Sequence, residues 1–329
     1  MALLTGLTAD GLEVPVQVDA QGRLVAEGLQ GPPGVKGDTG PAGPDGPKGD
    51  AGPAGGGAIP PAYWQRRGHR IVDAVDRGAA AALCWSPELQ LFVAVVGSGP
   101  DVLSMTSPDG SVWTAASTVP AMGWRAVCWS PELRLFVAVA AGGTGSRAMT
   151  SPDGSVWTAA STVPAMGWSA VCWSPELRLF VAVAAGGTGS RAMTSPDGSV
   201  WTAASTVPAM SWSAVCWSPD LRLFVAVAAG GTGEMAMTSP DGSVWTAKGD
   251  GIYNPLGGVC WCAGMGLFVA TGSITPGAGA FTSRDGAHWI GSESPADGQW
   301  KAVCWSPSEF RCVALAEVAG QPFALGLPD

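Results

Sequence analysis

The sequence predicts an all-β protein, in which a six-bladed β-propeller follows a collagen-like triple helix and a small N-terminal β module. Three observations predict it: a 44-residue repeat with four short strand patterns, an uninterrupted Gly-X-Y run, and an alternating hairpin pattern near the N-terminus. We therefore divide the chain into an N-terminal β-hairpin module at 1–30, a triple-helical stalk at 31–57, a linker at 58–66 and the propeller at 67–329.

The repeat predicts the propeller. Six Cys-Trp pairs are each 44 residues apart, and residues 126–166 and 170–210 are identical. A period of this length with four strands is typical of propellers. The pairs begin at Cys84, Cys128, Cys172, Cys216, Cys260 and Cys304.

One repeat contains four strand patterns separated by turn residues. We predict strands at Ala126–Ser130, Arg134–Ala141, Arg147–Ser151 and Ser155–Ser161. Trp, Val, Phe and Thr favour strands, and the Pro, Asp and Gly clusters between them favour turns. The second strand is apolar on both faces, so we expect neighbouring sheets to cover it on both sides.

The ends of the repeat region predict how the ring closes. The sixth copy reaches Asp329 before its fourth strand. Gly68–Val75 lies upstream of the first copy in the register of a fourth strand, and we expect it to complete the sixth blade. Closure removes exposed sheet edges. An open solenoid of the same repeats is the alternative.

The Gly-X-Y run predicts a homotrimer. From Gly31 the sequence contains eight uninterrupted triplets, and only Gly fits at the axis of a triple helix. A flexible linker, the alternative, does not require the strict period. Upstream, Glu13–Val18 and Arg23–Glu27 alternate around Asp19–Gly22, which predicts a hairpin.

Composition excludes several classes of protein. Hydrophobic residues make up 47% and charged residues 13% of the chain, which is too little charge for a disordered protein. The net charge of -9 disfavours nucleic-acid binding. No secretory signal is visible, and no apolar run reaches the length of about 18 residues that a membrane helix needs. We expect folding in the cytosol, without membrane insertion.

The tight turn of the repeat resembles the Asp-box of sialidase-like propellers. Ser151-Pro152-Asp153-Gly154-Ser155-Val156-Trp157 has the Ser, Asp, Gly and aromatic residue of that motif, with one residue fewer between Asp and Gly. The resemblance implies that the Asp stabilises a turn between the third and fourth strands and is not catalytic. The equivalent aspartates are Asp109, Asp153, Asp197, Asp241 and Asp285.

The order of segments is similar to that of tail fibres and adhesins of tailed bacteriophages, especially those of cyanobacterial hosts. There a module like Val14–Val25 precedes a collagen-like run. The resemblance implies that residues 1–30 attach the fibre to other proteins of the virion tail or baseplate. It also implies a virion protein made in the host cytoplasm, which agrees with free thiols.

Signatures of catalysis are weak. A sialidase-like enzyme needs an arginine cluster and a Tyr/Glu pair. Arg147 and Arg191 share one repeat position, but Glu234 and Leu103 lie near it in other copies, and the sequence has 2 tyrosines. Carboxylates recur in one turn at Glu132, Glu176 and Asp220, which indicates turn formation rather than a unique acid–base pair. We predict no enzyme activity and no cofactor.

The sequence also predicts no metal site. His69 and His288 are the only histidines, so neither a zinc site nor a Ser-His-Asp triad has support. Cys260 and Cys262 form a C-x-C pattern on one strand with no complementary pair. We interpret the cysteines as buried thiols, because sheets about 10 Å apart place repeat-equivalent cysteines too far apart for disulfides.

One face of the propeller is the candidate ligand site. The loops GGTGSR and TVPAMGW lie on one face and present Met122, Met166 and Met210 with aromatic and basic side chains. Because Trp faces stack on sugars, we predict glycan binding there. The alternative is that these tryptophans pack between blades, as Trp129 and Trp157 are expected to do. The predicted ligand residues are Trp124, Trp168, Trp212, Tyr253, Trp300, Arg147 and Arg191.

These observations favour a phage fibre that recognises a host-surface glycan. The alternatives are a structural virion spike without receptor binding, a cellular lectin-like adhesin, and a glycan-cleaving tailspike.

Overall fold

A computed structural model describes twelve stretches of the chain. They are residues 4–7, 13–18, 24–25, 65–67, 80–97, 103–231, 233–252, 254–272, 278–293, 299–306, 311–318 and 321–326. Two compact units are present, Met1–Pro53 and Ala54–Asp329. The regular elements in these stretches are strands. No helix within the same stretches has the length and hydrophobicity needed to cross a bilayer.

The first unit contains a three-stranded antiparallel sheet. Its strands are β1 (Leu4–Leu7), β2 (Glu13–Val18) and β3 (Leu24–Val25). Val18 pairs with Leu24, so the predicted hairpin around residues 19–22 is confirmed. The sequence did not predict β1, because Thr5 and Gly6 interrupt its apolar pattern. The collagen-like stalk at 31–57 lies outside the described residues.

The second unit begins with β4 (Gln65–Arg67) and contains six four-stranded antiparallel sheets. Sheet 1 contains β5 (Ala80–Ser86), β6 (Leu91–Val96), β7 (Ser104–Ser107) and β8 (Thr114–Ala115). Sheet 2 contains β9 (Gly123–Ser130), β10 (Leu135–Gly142), β11 (Ala148–Ser151) and β12 (Thr158–Ala159). Sheet 3 contains β13 (Gly167–Ser174), β14 (Leu179–Gly186), β15 (Ala192–Ser195) and β16 (Thr202–Ala203).

The remaining sheets follow the same order. Sheet 4 contains β17 (Ser211–Ser218), β18 (Leu223–Gly230), β19 (Ala236–Ser239) and β20 (Thr246–Lys248). Sheet 5 contains β21 (Leu256–Cys262), β22 (Leu267–Gly272), β23 (Ala278–Ser283) and β24 (Ile290–Glu293). Sheet 6 contains β25 (Gln299–Ser306), β26 (Arg311–Val318) and β27 (Gln321–Gly326), followed by β4.

The predicted strands agree with the observed repeat. In sheet 2 the turn at 131–134 joins the first two strands, and the Asp turn joins the last two. Val137, Ala138 and Val139 of the second strand are all fully buried, so both faces of this strand are covered as predicted. A second strand that is apolar on both faces is therefore stabilised by the sheets that pack on either side of it.

The fourth strand of sheet 6 comes from the upstream end of the unit. β4 pairs antiparallel with β27, with Arg67 opposite Ala324 and Gln65 opposite Gly326. The predicted segment, Gly68–Val75, lies outside the described residues. The predicted linker at 58–66 ends too late, because Gln65 and Arg66 are already in the strand. Their polar side chains carry no strand pattern that the sequence could reveal.

Ring closure stays a prediction at the junction of sheets 6 and 1. Trp85 of sheet 1 is 37% exposed, whereas Trp129 and Trp173, at the same repeat position, are 7% and 9% exposed. In sheets 2 and 3 this tryptophan is covered by the sheet before it. If the ring is closed, sheet 6 packs against Trp85 and covers it in the same way.

Successive sheets are joined by a carboxylate in the first turn of each repeat. The indole N–H of Trp173 donates to Glu132 Oε2 at 2.6 Å, which joins sheet 3 to sheet 2. The same bond forms in the neighbouring repeats from Trp129 to Glu88, from Trp217 to Glu176 and from Trp261 to Asp220. These recurring carboxylates are therefore structural acceptors, in agreement with the prediction that they do not form a unique acid–base pair.

We expect Glu132→Ala to lower the free energy of unfolding by about 1 kcal/mol. Hydrogen bonds to charged groups contribute more than neutral ones, but Glu132 is exposed, so solvent reduces the effect. Denaturant unfolding would measure the change. Glu132→Gln retains an acceptor and should lose less, and Glu234→Ala, an exposed glutamate, is the control. Equal stability of Glu132→Ala and Glu234→Ala would contradict the role of the bond.

Candidate binding face

The candidate site lies at the end of the sheets where the second strand ends and the first begins. In sheet 2 these points are Gly142 and Gly123, which pair with each other. We call this end the loop face. It comprises the loops between second and third strands and the segments that connect one sheet to the next. In sheet 2 the turn at 131–134 lies at the opposite end.

The three tryptophans predicted to stack on sugars are buried. Trp124, Trp168 and Trp212 are each 0% exposed. Their indole N–H groups donate to the carbonyls of Pro120, Pro164 and Pro208 at 2.9, 3.0 and 2.9 Å. The glycan-stacking interpretation is wrong for these three residues, because the connecting segment folds over each ring. Packing in the protein interior, the alternative, is what the structure shows.

The methionines of the loop face are buried as well. Met122, Met166 and Met210 are 8%, 4% and 6% exposed, and each lies against a glycine of the adjacent loop. A Cβ atom at Gly187, which has a φ of +126°, would lie 2.6 Å from Met166 Sδ. The predicted Met and Trp side chains are therefore largely packed beneath the face, although Met122 also borders a groove there.

The two arginines predicted to bind ligand donate hydrogen bonds to backbone carbonyls of the loop face. Arg191 Nη1 donates to the carbonyl of Met210 at 2.6 Å, which joins its loop to the segment leading into sheet 4. Arg147 Nη2 donates to Gly143 within its own loop at 3.4 Å. Tyr253 and the side chain of Trp300 lie outside what the structure describes, so their predicted roles stay predictions.

A groove of about 680 Å³ opens on the loop face between sheets 1 and 2. Leu103, Met122 and Arg125 line it together with backbone at Gly142 and Gly143. Arg125 is exposed. It is the charged group of a groove whose other side chains are apolar.

Arg125 departs from the repeat and is not among the predicted ligand residues. The equivalent positions are Ser169 and Ser213, whose hydroxyls donate at 2.6 Å to the backbone of the next sheet, at Trp212 and Leu256. The two repeats are identical up to the preceding residue, at Trp124 and Trp168, and identity resumes one residue later, at Ala126 and Ala170. The Arg/Ser difference just outside the identical segment was the signal that could have identified the site.

The Asp turns at the other end of the third strand form a repeated hydrogen-bond network. Asp153 Oδ1 accepts from Ser151 Oγ at 3.0 Å and from the N–H groups of Ser155 and Val156 at 2.8 and 3.0 Å. Partial burial opposes ionisation, but these hydrogen bonds outweigh it and lower the pKa of Asp153. Each carboxylate is thus engaged in its turn, as the structural role implied by the resemblance requires.

The fifth turn differs because His288 stands where the other repeats have Val. His288 Nδ1 lies 2.7 Å from Asp285 Oδ2, and the hydrogen bond to Asp285 raises the pKa of the imidazole. A pocket of about 220 Å³ borders this pair, with Arg284 and Leu267 in its wall. His288 is 75% exposed, so the pair is a surface feature.

Three thiols meet between sheets 5 and 6. The Sγ atoms of Cys260, Cys262 and Cys312 all lie within 4.8 Å of one another. The sequence offered no complementary pair for the C-x-C pattern, and the structure instead adds a single third thiol, Cys312 of β26, which was not predicted to lie there. A comparison of repeat positions could have found it, since Cys312 stands where sheet 5 has Phe268. All eight cysteines are free thiols.

Solved structures are similar to this chain in fold. A glycoside hydrolase of family GH74 from Niastella koreensis aligns with a TM-score of 0.59 and 14% identity, covering 74% of this chain and 44% of that one. The β-propeller domain of Cps50 (Swd1) from Myceliophteria thermophila gives 0.53 and 10%, covering 76% and 82%. The gluconolactonase XC5397 from Xanthomonas campestris gives 0.53 and 12%, covering 77% and 88%. No protein-family model and no curated protein matches the sequence.

These similarities show the fold alone. The repeated four-stranded sheets are those of a β-propeller. The chain spans less than half the length of the Niastella enzyme, and identities of 10–14% carry no activity across.

Proposed function

We propose that this chain is a trimeric tail fibre of a bacteriophage, whose propeller head binds a glycan of the host surface without cleaving it. The uninterrupted Gly-X-Y run ahead of the propeller carries the proposal, because a triple helix joins three chains and hence three heads on one rod. Residues 1–30 attach the fibre to other proteins of the virion tail or baseplate. The fibre is made in the host cytoplasm.

In the head, the six sheets close into a six-bladed ring. Support comes from the pairing of β4 with β27, which brings the two ends of the repeat region into one sheet. A ring holds the loop face as one continuous surface. The three heads of a trimer then present three such surfaces, so that weak binding at each sums to strong avidity.

Binding is favoured over catalysis by the state of the repeated carboxylates. Within the described stretches, the Asp-turn carboxylates accept backbone N–H groups, as at Asp153. The carboxylates of the first turns accept indole N–H groups, as at Glu132. Glycoside cleavage needs a pair of carboxyl groups free to act as acid and base or nucleophile. These recurring groups are held in structural hydrogen bonds instead.

The groove beside Arg125 is the proposed glycan site. A guanidinium has five N–H donors in a planar fork, which suits sugar hydroxyls and the carboxylates of acidic sugars. Leu103 and Met122 supply apolar contacts next to it. Since Ser replaces Arg in the two following repeats, the site occurs at one position among sheets 2 to 4.

Binding of the full-length chain to arrays of bacterial surface polysaccharides tests the proposal. Arg125→Ser, which installs the residue of the next two repeats, should weaken glycan binding by about 10-fold or more, since charge-assisted hydrogen bonds contribute about 1.5–3 kcal/mol. Arg134→Gln is the matched control. It removes one positive charge at the opposite end of sheet 2, where Gln90 of sheet 1 has the same φ of 50°.

Several outcomes would contradict the proposal or part of it. Unchanged binding by Arg125→Ser would remove the groove from the site. Failure of the full-length chain to bind any glycan or host cell would favour a structural spike. Release of reducing sugars would favour a glycan-cleaving tailspike. A monomer in sedimentation would contradict the trimer, and a cellular rather than a phage genomic context would favour a lectin-like adhesin.

A further inference from the structure

The thiol cluster between sheets 5 and 6 contains residues that differ from those at the same positions in the other repeats. Cys260 is the regular cysteine of its repeat. Cys262 stands where sheets 1 to 4 have Ser, and Cys312 stands where sheets 1 to 5 have Phe. Both replacements introduce sulfur, and they occur on different sheets.

A fourth sulfur lies in the same cluster. Met265, in the turn after β21, packs against the buried core formed by Cys262, Cys312 and three small apolar residues. It stands where sheets 1 to 4 have Leu. Three independent changes of the repeat thus place soft sulfur atoms at one junction, which apolar packing alone does not require.

The spacing of the three thiols is compatible with a metal site. Cys260 and Cys262 Sγ are 3.8 Å apart, and Cys312 Sγ lies within 4.8 Å of both. Metal–thiolate bonds of about 2.3 Å place the sulfurs of a trigonal or tetrahedral site about 3.8–4.0 Å apart. Cys262 and Cys312 are 0% exposed, so the sulfurs are held in position by the packing of both sheets.

We propose that Cys260, Cys262 and Cys312 bind one thiophilic d10 metal ion, with Cu(I) preferred over Zn(II). Thiolate and thioether ligands select soft ions such as Cu(I), and three thiolates are a sufficient ligand set for Cu(I). Zinc takes four ligands from Cys, His and carboxylates, and the cluster's fourth sulfur is a methionine. Binding releases the thiol protons to solvent. Because Cys260 and Cys262 lie in sheet 5 and Cys312 in sheet 6, the bound ion also joins these two sheets.

The test is anaerobic titration of the reduced full-length chain with Cu(I), and separately with Zn(II), in competition with a chromophoric chelator. Cys262→Ser and Cys312→Phe install the residues of the other repeats, so both are expected to fold. We expect each to lower the Cu(I) affinity by at least about 100-fold, because even loss of a partner beyond the direct ligands costs about 10–100-fold. Cys172→Ser, at a regular position, is the control and should leave the affinity unchanged.

Circular dichroism of each variant keeps a folding defect distinct from a lost ligand. A folded Cys262→Ser or Cys312→Phe variant that binds Cu(I) as tightly as the parent chain overturns the proposal. A parent chain that binds neither Cu(I) nor Zn(II) more tightly than the Cys262→Ser variant also overturns it. So does a parent chain that forms a disulfide among the three thiols when purified under reducing conditions.

Discussion

Trp168→Ala is expected to lower the free energy of unfolding by about 3–5 kcal/mol, the range for deletion of a large buried aromatic side chain. Trp168 is 0% exposed and packs with Met166, Trp173 and Trp201 in one core cluster. The variant also leaves the carbonyl of Pro164 without its indole donor, which lies 3.0 Å away in the parent chain. Denaturant or thermal unfolding of the full-length chain would measure the loss.

Trp168→Phe separates packing from hydrogen bonding. It retains most of the apolar ring and loses the indole N–H, so we expect a loss of about 1–2 kcal/mol from the bond and the reduced volume. If Trp168→Ala were as stable as the parent chain and lost only glycan binding, the buried position would be contradicted. The stacking role predicted from the sequence would then stand.

Gly198→Ala is expected to lower the free energy of unfolding by about 2–4 kcal/mol. Gly198 follows Asp197 in the Asp turn of sheet 3 and has a φ of +73°, in the left-handed region that disfavours L side chains. An added Cβ would lie 2.6 Å from Val137 Cγ2 and 3.0 Å from Thr150 Cγ2, both in sheet 2. Backbone strain and overpacking between the sheets therefore act together.

Gly186→Ala is the matched control in the same sheet. A Cβ at Gly186 meets no atom within 4 Å, and this glycine does not have a positive φ. We expect a change within about 0.5 kcal/mol, as for other unconstrained surface positions. Equal denaturation midpoints for the two variants would show that the Asp turn does not approach sheet 2 as closely as the structure has it.

Much of the repeat architecture could be predicted because its signals are local. The Asp turns follow from Ser, Asp and Gly at fixed offsets, and the carboxylate, hydroxyl and N–H groups that meet there belong to neighbouring residues, as at Asp153. The turns between first and second strands follow from Pro and Glu in the same way. The three strands of each repeat with apolar or β-branched residues were placed within a few residues.

The candidate site was predicted poorly because exposure is not a local property. Trp168 and Trp124 carry the same letters whether a loop folds over them or away, and only the folded connecting segment buries them. Arg125 is recognised as a candidate ligand residue because it lines a groove whose other side chains are apolar. β4 escaped prediction because its strand character comes entirely from pairing with β27, a segment more than two hundred residues away.

The sequence by itself determined the period, the strand and turn pattern, and the glycine at every third stalk position, since each depends on backbone propensity or on a steric rule that repeats along the chain. The tertiary structure alone decided which tryptophans are buried, where a charged groove opens, and that Cys312 joins Cys260 and Cys262. These features arise where separate sheets meet. Contacts between residues that are distant in the chain do not change the 44-residue spacing of the repeat, so the spacing does not predict them.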